Sequence, residues 1–122
     1  MNWSVIGAIV MALAVGLGAF GAHGLRDRLD AYSMGVYEKA VFYHFIHGLG
    51  LLIVSFLPKT GTFSINAAAW VCTLLFTGIL LFSGSLYALA LSGNRILGAV
   101  TPFGGISFIA AWLLLAWYLM RH

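Results

Sequence analysis

Hydrophobic residues in this chain fall into four long blocks, at about 3–22, 37–57, 67–91 and 102–120, and the polar residues gather in the short segments between them. Each block is long enough, at 1.5 Å of rise per residue, to cross a hydrocarbon layer about 30 Å thick as an α-helix. Pro58 and Lys59 end the second block, Ser92-Gly93-Asn94 ends the third, and Pro102 opens the fourth at a position suited to a first helical turn. The connections at 59–66 and 92–101 are short, so consecutive helices should be antiparallel neighbours. The pattern predicts an all-α integral membrane bundle of four transmembrane helices running up-down-up-down, forming one domain over 1–122. A re-entrant or broken span is the alternative, and no strand-like alternation or internal repeat competes with either.

The first connection is the longest. Leu25, Leu29 and Tyr32 recur there at helical spacing among Arg26, Asp27, Arg28 and Asp30. They read either as a short helix lying in the interface or as a loop kept in water by its mixed charges. Small residues in the first span form two lines of period four, Ala8, Ala12, Gly16 and Ala14, Gly18, Ala22. Such lines permit close helix approach, to another span of this chain or to a second copy.

Composition supports the membrane reading. Of 122 residues, 62% are hydrophobic and 7% charged, with a mean hydropathy of +1.03. A soluble domain of this size could not bury so much apolar surface, so membrane lipids are the expected surroundings. The net charge of +3 does not signal nucleic-acid binding, because Arg26, Arg28, Lys39, Lys59, Arg95 and Arg121 are scattered between the apolar runs as headgroup anchors. Four of these lie on the side of the first and third connections, which by the positive-inside rule places both termini outside. The first block lacks a basic leader and exceeds a signal peptide's apolar core, and is read as a permanent span.

Polar side chains collect in one half of the bilayer. Counting along the helices puts His44 roughly 10 Å and His47 roughly 15 Å below the first-connection side, with Tyr87, Ser85 and Ser83 at roughly 6, 9 and 12 Å. Thr101, Pro102, Gly104 and Gly105 begin the fourth span at that side, and Gly18, Gly21, His23 and Gly24 end the first. The other half is expected to be apolar, with Trp3, Trp70, Trp117 and Tyr118 as an aromatic belt. Polar groups in hydrocarbon need partners, so His23, Tyr43, His44, His47, Ser83, Ser85, Tyr87 and Thr101 form a candidate polar cluster, expected to face inward and bond together. Tyr37, Ala40, His44, His47, Gly48 and Leu51 share one face of the second helix, which should point into the bundle.

No metal or cofactor is expected. His23 is too shallow to meet His44 and His47 at one ion, no carboxylate or thiolate completes a site, and no pair of histidines faces across helices for haem. Cys72 reads as a packing residue without a disulfide partner. Asp27, Asp30 and Glu38 lie in or beside the first connection, so no catalytic set is apparent. Three functional readings follow: a structural or interaction protein that pairs as a homo-oligomer or with another membrane protein; a carrier or channel lined by His44, His47, Ser83 and Tyr87; and a membrane enzyme or cofactor binder.

The segments Gly18-Ala19-Phe20-Gly21-Ala22-His23-Gly24-Leu25, Tyr43-His44-Phe45-Ile46-His47, Leu81-Phe82-Ser83-Gly84-Ser85-Leu86-Tyr87 and Thr101-Pro102-Phe103-Gly104-Gly105 occur in that order, with Phe108, Ile109 and Trp112 continuing the last. Together they resemble domain-of-unknown-function family 423, which looks related to the eukaryotic transmembrane protein 256. The family commonly has glycine before that tryptophan, where this chain has Ala111. The resemblance implies a four-pass protein of the bacterial cytoplasmic membrane with no established activity. It places His23, His47, Ser83, Ser85, Tyr87, Thr101 and Pro102 within the family's motifs.

Overall fold

The computed structural model describes residues 2–121 and contains four long apolar helical spans, Trp3–Leu25, Ala31–Thr60, Ile65–Ser92 and Arg95–Met120. The first is α1 (Trp3–Phe20) closed by a π-helical turn, Gly21–Leu25. The second is α2 (Ala31–Phe56) with a 3₁₀ turn, Leu57–Thr60. The third joins α3 (Ile65–Gly78) to α4 (Gly84–Ser92) through a π-helical turn, Ile79–Ser83, and the fourth is α5 (Thr101–Met120) after a 3₁₀ turn, Arg95–Ala99.

Local chemistry explains the ends. Asn2, Asp30 and Ser64 each turn a side-chain oxygen onto a free backbone N–H of the following first turn, at Val5, Ser33 and Ala67. Gly61 and Gly93, at φ of 85° and 75°, close the second and third spans in the left-handed conformation that glycine tolerates without strain. The interfacial helix envisaged around Leu25, Leu29 and Tyr32 is not formed. Leu25 still belongs to the first span, while Asp30 caps α2 and so draws Tyr32 into its first turn. The Ser33 N–H and hydroxyl beside Asp30, with a further contribution from Arg95, hold its carboxyl below the usual carboxylate range. Arg95 also lies 4.2 Å from the Tyr32 ring centre, tying the third connection to the start of α2.

At about 45 Å the second span is longer than the hydrocarbon layer, so its first turns, from Ala31 to about Lys39, stand at the headgroup level. That is why the segment 31–36, which lies before the apolar run, is helical as well. The spans are layered, with α1 packed on α2, α2 on α3 and α4, and α3 on α5. The two inner spans are accordingly about twice as buried as the outer ones, 39% and 44% against 22% each. The main core lies between α2, α3 and α5, around Leu51, Val54, Val71, Cys72, Leu75 and Phe108.

Glycine sets how closely these layers meet. A methyl group at Gly104 would stand 2.3 Å from the backbone nitrogen of Phe82, inside the π-helical turn, and one at Gly78 would enter the Phe108 ring. The wide turn of the third span and the start of α5 are thus in backbone contact, the packing that small residues allow between membrane helices. Gly16, by contrast, has open space around it. The lines of small residues divide likewise: Ala14 is buried against α2, whereas Ala8, Ala12 and Gly16 face outward. Gly104→Ala should destabilise the folded protein by about 1 to 3 kcal/mol, because backbone atoms must move. Gly16→Ala should leave stability unchanged or raise it by up to about 1 kcal/mol. Reversible unfolding in mixed detergent micelles measures both.

Candidate functional site

The second helix presents Tyr37, Ala40, His44, His47, Gly48 and Leu51 to the interior, and all six are buried. His44 spans the gap between outer and inner layers. Its Nε2 lies 2.9 Å from the carbonyl oxygen of Val10 in α1, and its Nδ1 lies 2.9 Å from the hydroxyl of Tyr87 in α4. A carbonyl can only accept, so Nε2 carries the proton, and the Tyr87 O–H donates to Nδ1 of a neutral ring. Tyr37, packed edge-on against Tyr87 at 5.2 Å, donates its own hydroxyl to the Leu17 carbonyl at 2.5 Å. Gly21 makes room for that ring, since a methyl group there would overlap it. One polar bridge therefore joins α1, α2 and α4.

The remaining candidates form separate contacts. Ser83 is wholly buried and donates to the Ala40 carbonyl at 2.8 Å, pinning the π-helical turn to α2. Ser85 meets Thr101 at 2.6 Å and also bonds back to the Phe82 carbonyl at 3.0 Å, linking α4 to the start of α5. His47 donates Nδ1–H to the Tyr43 carbonyl of its own helix and stacks face to face on Phe108 at 3.5 Å. Tyr43 fills the space beside them, 4.4 Å from the Phe82 ring.

Several expectations need correction. His23 is exposed on the outer surface of its π-helical turn and takes no part in the cluster, because that turn directs Gly21 and Leu25 inward instead. The cluster is not one network of side chains. His44–Tyr87 and Ser85–Thr101 are side-chain pairs, but most acceptors are backbone carbonyls: Val10, Leu17, Ala40, Tyr43 and Phe82. The other half of the bilayer is not purely apolar either, for Ser4 and Ser55 bond at 3.0 Å between α1 and α2. Tyr37, which the sequence places on the inward face but not in the cluster, is one of its main members. Ser107, bonded to the Leu74 carbonyl at 2.7 Å, was missed altogether.

Every side-chain nitrogen or oxygen that the described residues fully enclose has a hydrogen-bond partner. The His47 Nε2 has no bond among them and keeps an accessible edge, near Trp112. No group of three or more His, Cys, Asp or Glu suited to a metal occurs among the described residues. A groove of about 210 Å³ at the first-connection end runs between α1 and α2 past Gly18, Ala22, Tyr37 and Glu38 and does not reach either histidine. Chemically, the cluster is a set of interhelical fasteners. Tyr87→Phe leaves a buried imidazole nitrogen without a donor and should cost about 0.6 to 2 kcal/mol. Tyr87→Phe combined with His44→Leu should cost less than the two single changes together, a coupling that unfolding of the four proteins in a mutant cycle measures directly.

The described geometry can now be set beside known proteins. The sequence pattern of the family described as "Protein of unknown function (DUF423)" matches residues 17–105, a stretch that contains the π-helical turns, both interior histidines and the start of α5. The chain is 52% identical over 111 residues to the UPF0382 membrane protein SH2409 of Staphylococcus haemolyticus, covering 91% of this chain and 88% of that one. It is 54% identical over 111 residues to the UPF0382 membrane protein SSP2132 of Staphylococcus saprophyticus, covering 91% and 90%. To the UPF0382 membrane protein YwdK of Bacillus subtilis it is 48% identical over 113 residues, covering 91% and 89%. No solved structure matches. With most of its length matched and four apolar spans in its fold, the chain belongs to the DUF423 family of membrane proteins of unknown function.

Proposed function

We propose that this chain acts in the bacterial cytoplasmic membrane as a small interaction protein, a rigid helical unit that assembles with a second copy of itself or with another membrane protein. The observation that carries this reading is the closed state of the polar cluster. Its fully enclosed polar groups all have partners, most of them on another helix, and His47 lies flat on Phe108 with only its Nε2 edge accessible. A carrier would present such groups to a water-filled cavity or substrate path. The outward line of Ala8, Ala12 and Gly16 supports the reading further, since it offers a flat helix surface to a neighbouring span.

Cross-linking in native membranes tests the assembly. Cys72 is fully buried, so Ala12→Cys adds a single accessible thiol. It should give cross-linked species several times more abundantly than Leu113→Cys, which is 66% exposed on the outer face of α5. Equal yields at the two positions would overturn the assembly reading. A solute flux in reconstituted vesicles that Trp-fluorescence-verified, folded His47→Leu protein loses would establish a carrier in its place.

A further inference from the structure

A second opening lies at the other end of the bundle, away from the interior histidines. It is a cleft of about 800 Å³ between the start of α1, the end of α2 and the start of α3, a volume in the range of ligand-sized sites. It exists because α1 packs on α2 while α3 packs on α2 and α5, and because Ala8 and Ala69 line the gap with little side chain to fill it. Val5 and Ile65, 51% and 76% exposed, form apolar rims open to the side. Ala8 is five residues from the start of α1, so the cleft reaches about 8 Å along the helix from that end. It therefore runs from the headgroup level into the acyl region.

Asn2, Ser4 and Ser55 line the cleft towards its headgroup end, and what reaches the lateral opening beside Val5 and Ile65 in a bilayer is hydrocarbon. The charge at the mouth selects the headgroup. Lys59 lines the cleft, its ammonium 5.2 Å from the ring centre of Phe56, which also lines it. Arg121 stands at the same end of the bundle, while the chain's three acidic side chains, Asp27, Asp30 and Glu38, all belong to the opposite end. We propose that this cleft is a binding site for an anionic phospholipid, with one acyl chain lying along Ala8 and Ala69 and the phosphate held by Lys59.

The full chain is reconstituted in vesicles of equal parts phosphatidylglycerol, phosphatidylethanolamine and phosphatidylcholine, then extracted in mild detergent, and its retained lipid is identified by native mass spectrometry. The unaltered protein should retain one lipid per chain, with phosphatidylglycerol enriched about fivefold, the effect expected of one lysine near an anionic group. Lys59→Gln, at an exposed position, should keep the lipid but lose the preference. Ala69→Phe should lose the lipid itself, with helicity by circular dichroism confirming that the chain is folded. Retained lipid that mirrors the vesicle composition, phosphatidylglycerol enrichment that survives Lys59→Gln, or full retention in folded Ala69→Phe would each overturn the site. Ala8 borders both this cleft and the outward line of α1, so lipid retention is read beside the Ala12→Cys cross-linking yield, and loss of one without the other separates the two readings.

Discussion

Much of the arrangement hangs on one imidazole. His44 is buried in α2 with both ring nitrogens bonded, one to a carbonyl of α1 and the other to a phenol of α4. In a bilayer, apolar burial does not hold helices together, because lipid is as apolar as a leucine side chain. Directional bonds and close packing must supply the specificity. His44 does so for the outer helix α1, which is largely lipid-exposed and is attached mainly through α2. Sliding α1 by half a turn, about 2.7 Å, would take the Val10 carbonyl out of reach and leave the Nε2 proton without an acceptor in hydrocarbon. The Tyr37 bond to Leu17, nearly two turns further along α1, fixes the same register a second time.

The other outer helix, α5, is held on the third span. Its contacts with the third span rest on the backbone approach of Gly104 to the π-helical turn, with Ser85–Thr101 at one end and Ser107–Leu74 deeper in. A π-helical turn makes the third span locally wider than an α-helix and lets its backbone meet a glycine surface. Ser83, at the end of that turn, anchors it to α2 from the other side. The third span is thus fixed on both flanks at the same depth. Close glycine contacts and hydrogen bonds seat both outer helices, with Gly7 and His44 serving α1 and Gly104 and the two serine bonds serving α5.

What could be read from the sequence follows from which of these forces leaves a trace in residue types. Hydrophobicity marks the four spans, and the three-and-four spacing of Tyr37, His44 and His47 marks the inward face, because both depend on side chains alone. The depth count put Tyr87 at a level where His44 could meet it. The acceptors were hidden, since a carbonyl at Val10 or Ala40 carries no signature of its residue. The π-helical turns were hidden too, being selected by packing between spans rather than by local propensity. His23 misled because its exposure depends on the rotation of such a turn. The early start of α2 was masked by Ser33 and Gly35, which interrupt the hydrophobic pattern of its first turns, although Asp30 gave a capping signal three residues before Ser33.

The two ends of the bundle consequently have opposite characters. At the first-connection end, interior polar side chains are abundant and most of them bond to neighbouring helices or to backbone carbonyls. At the other end Asn2 and Ser64 are used as helix caps and Ser4 bonds to Ser55, yet α1 and α3 leave a cleft between them, and Lys59 and Arg121 stand there. Polarity in the membrane is commonly taken as a pointer to function, since it is costly to maintain. Here that cost is largely offset by the bonds the groups make with each other and with backbone carbonyls, so polarity at that end accounts for packing. A lateral opening is different, because its walls make their contacts with what the bilayer supplies and not with each other. The cleft beside Lys59 is thus the part of the surface whose contacts the packing of α1 and α3 leaves to the surroundings.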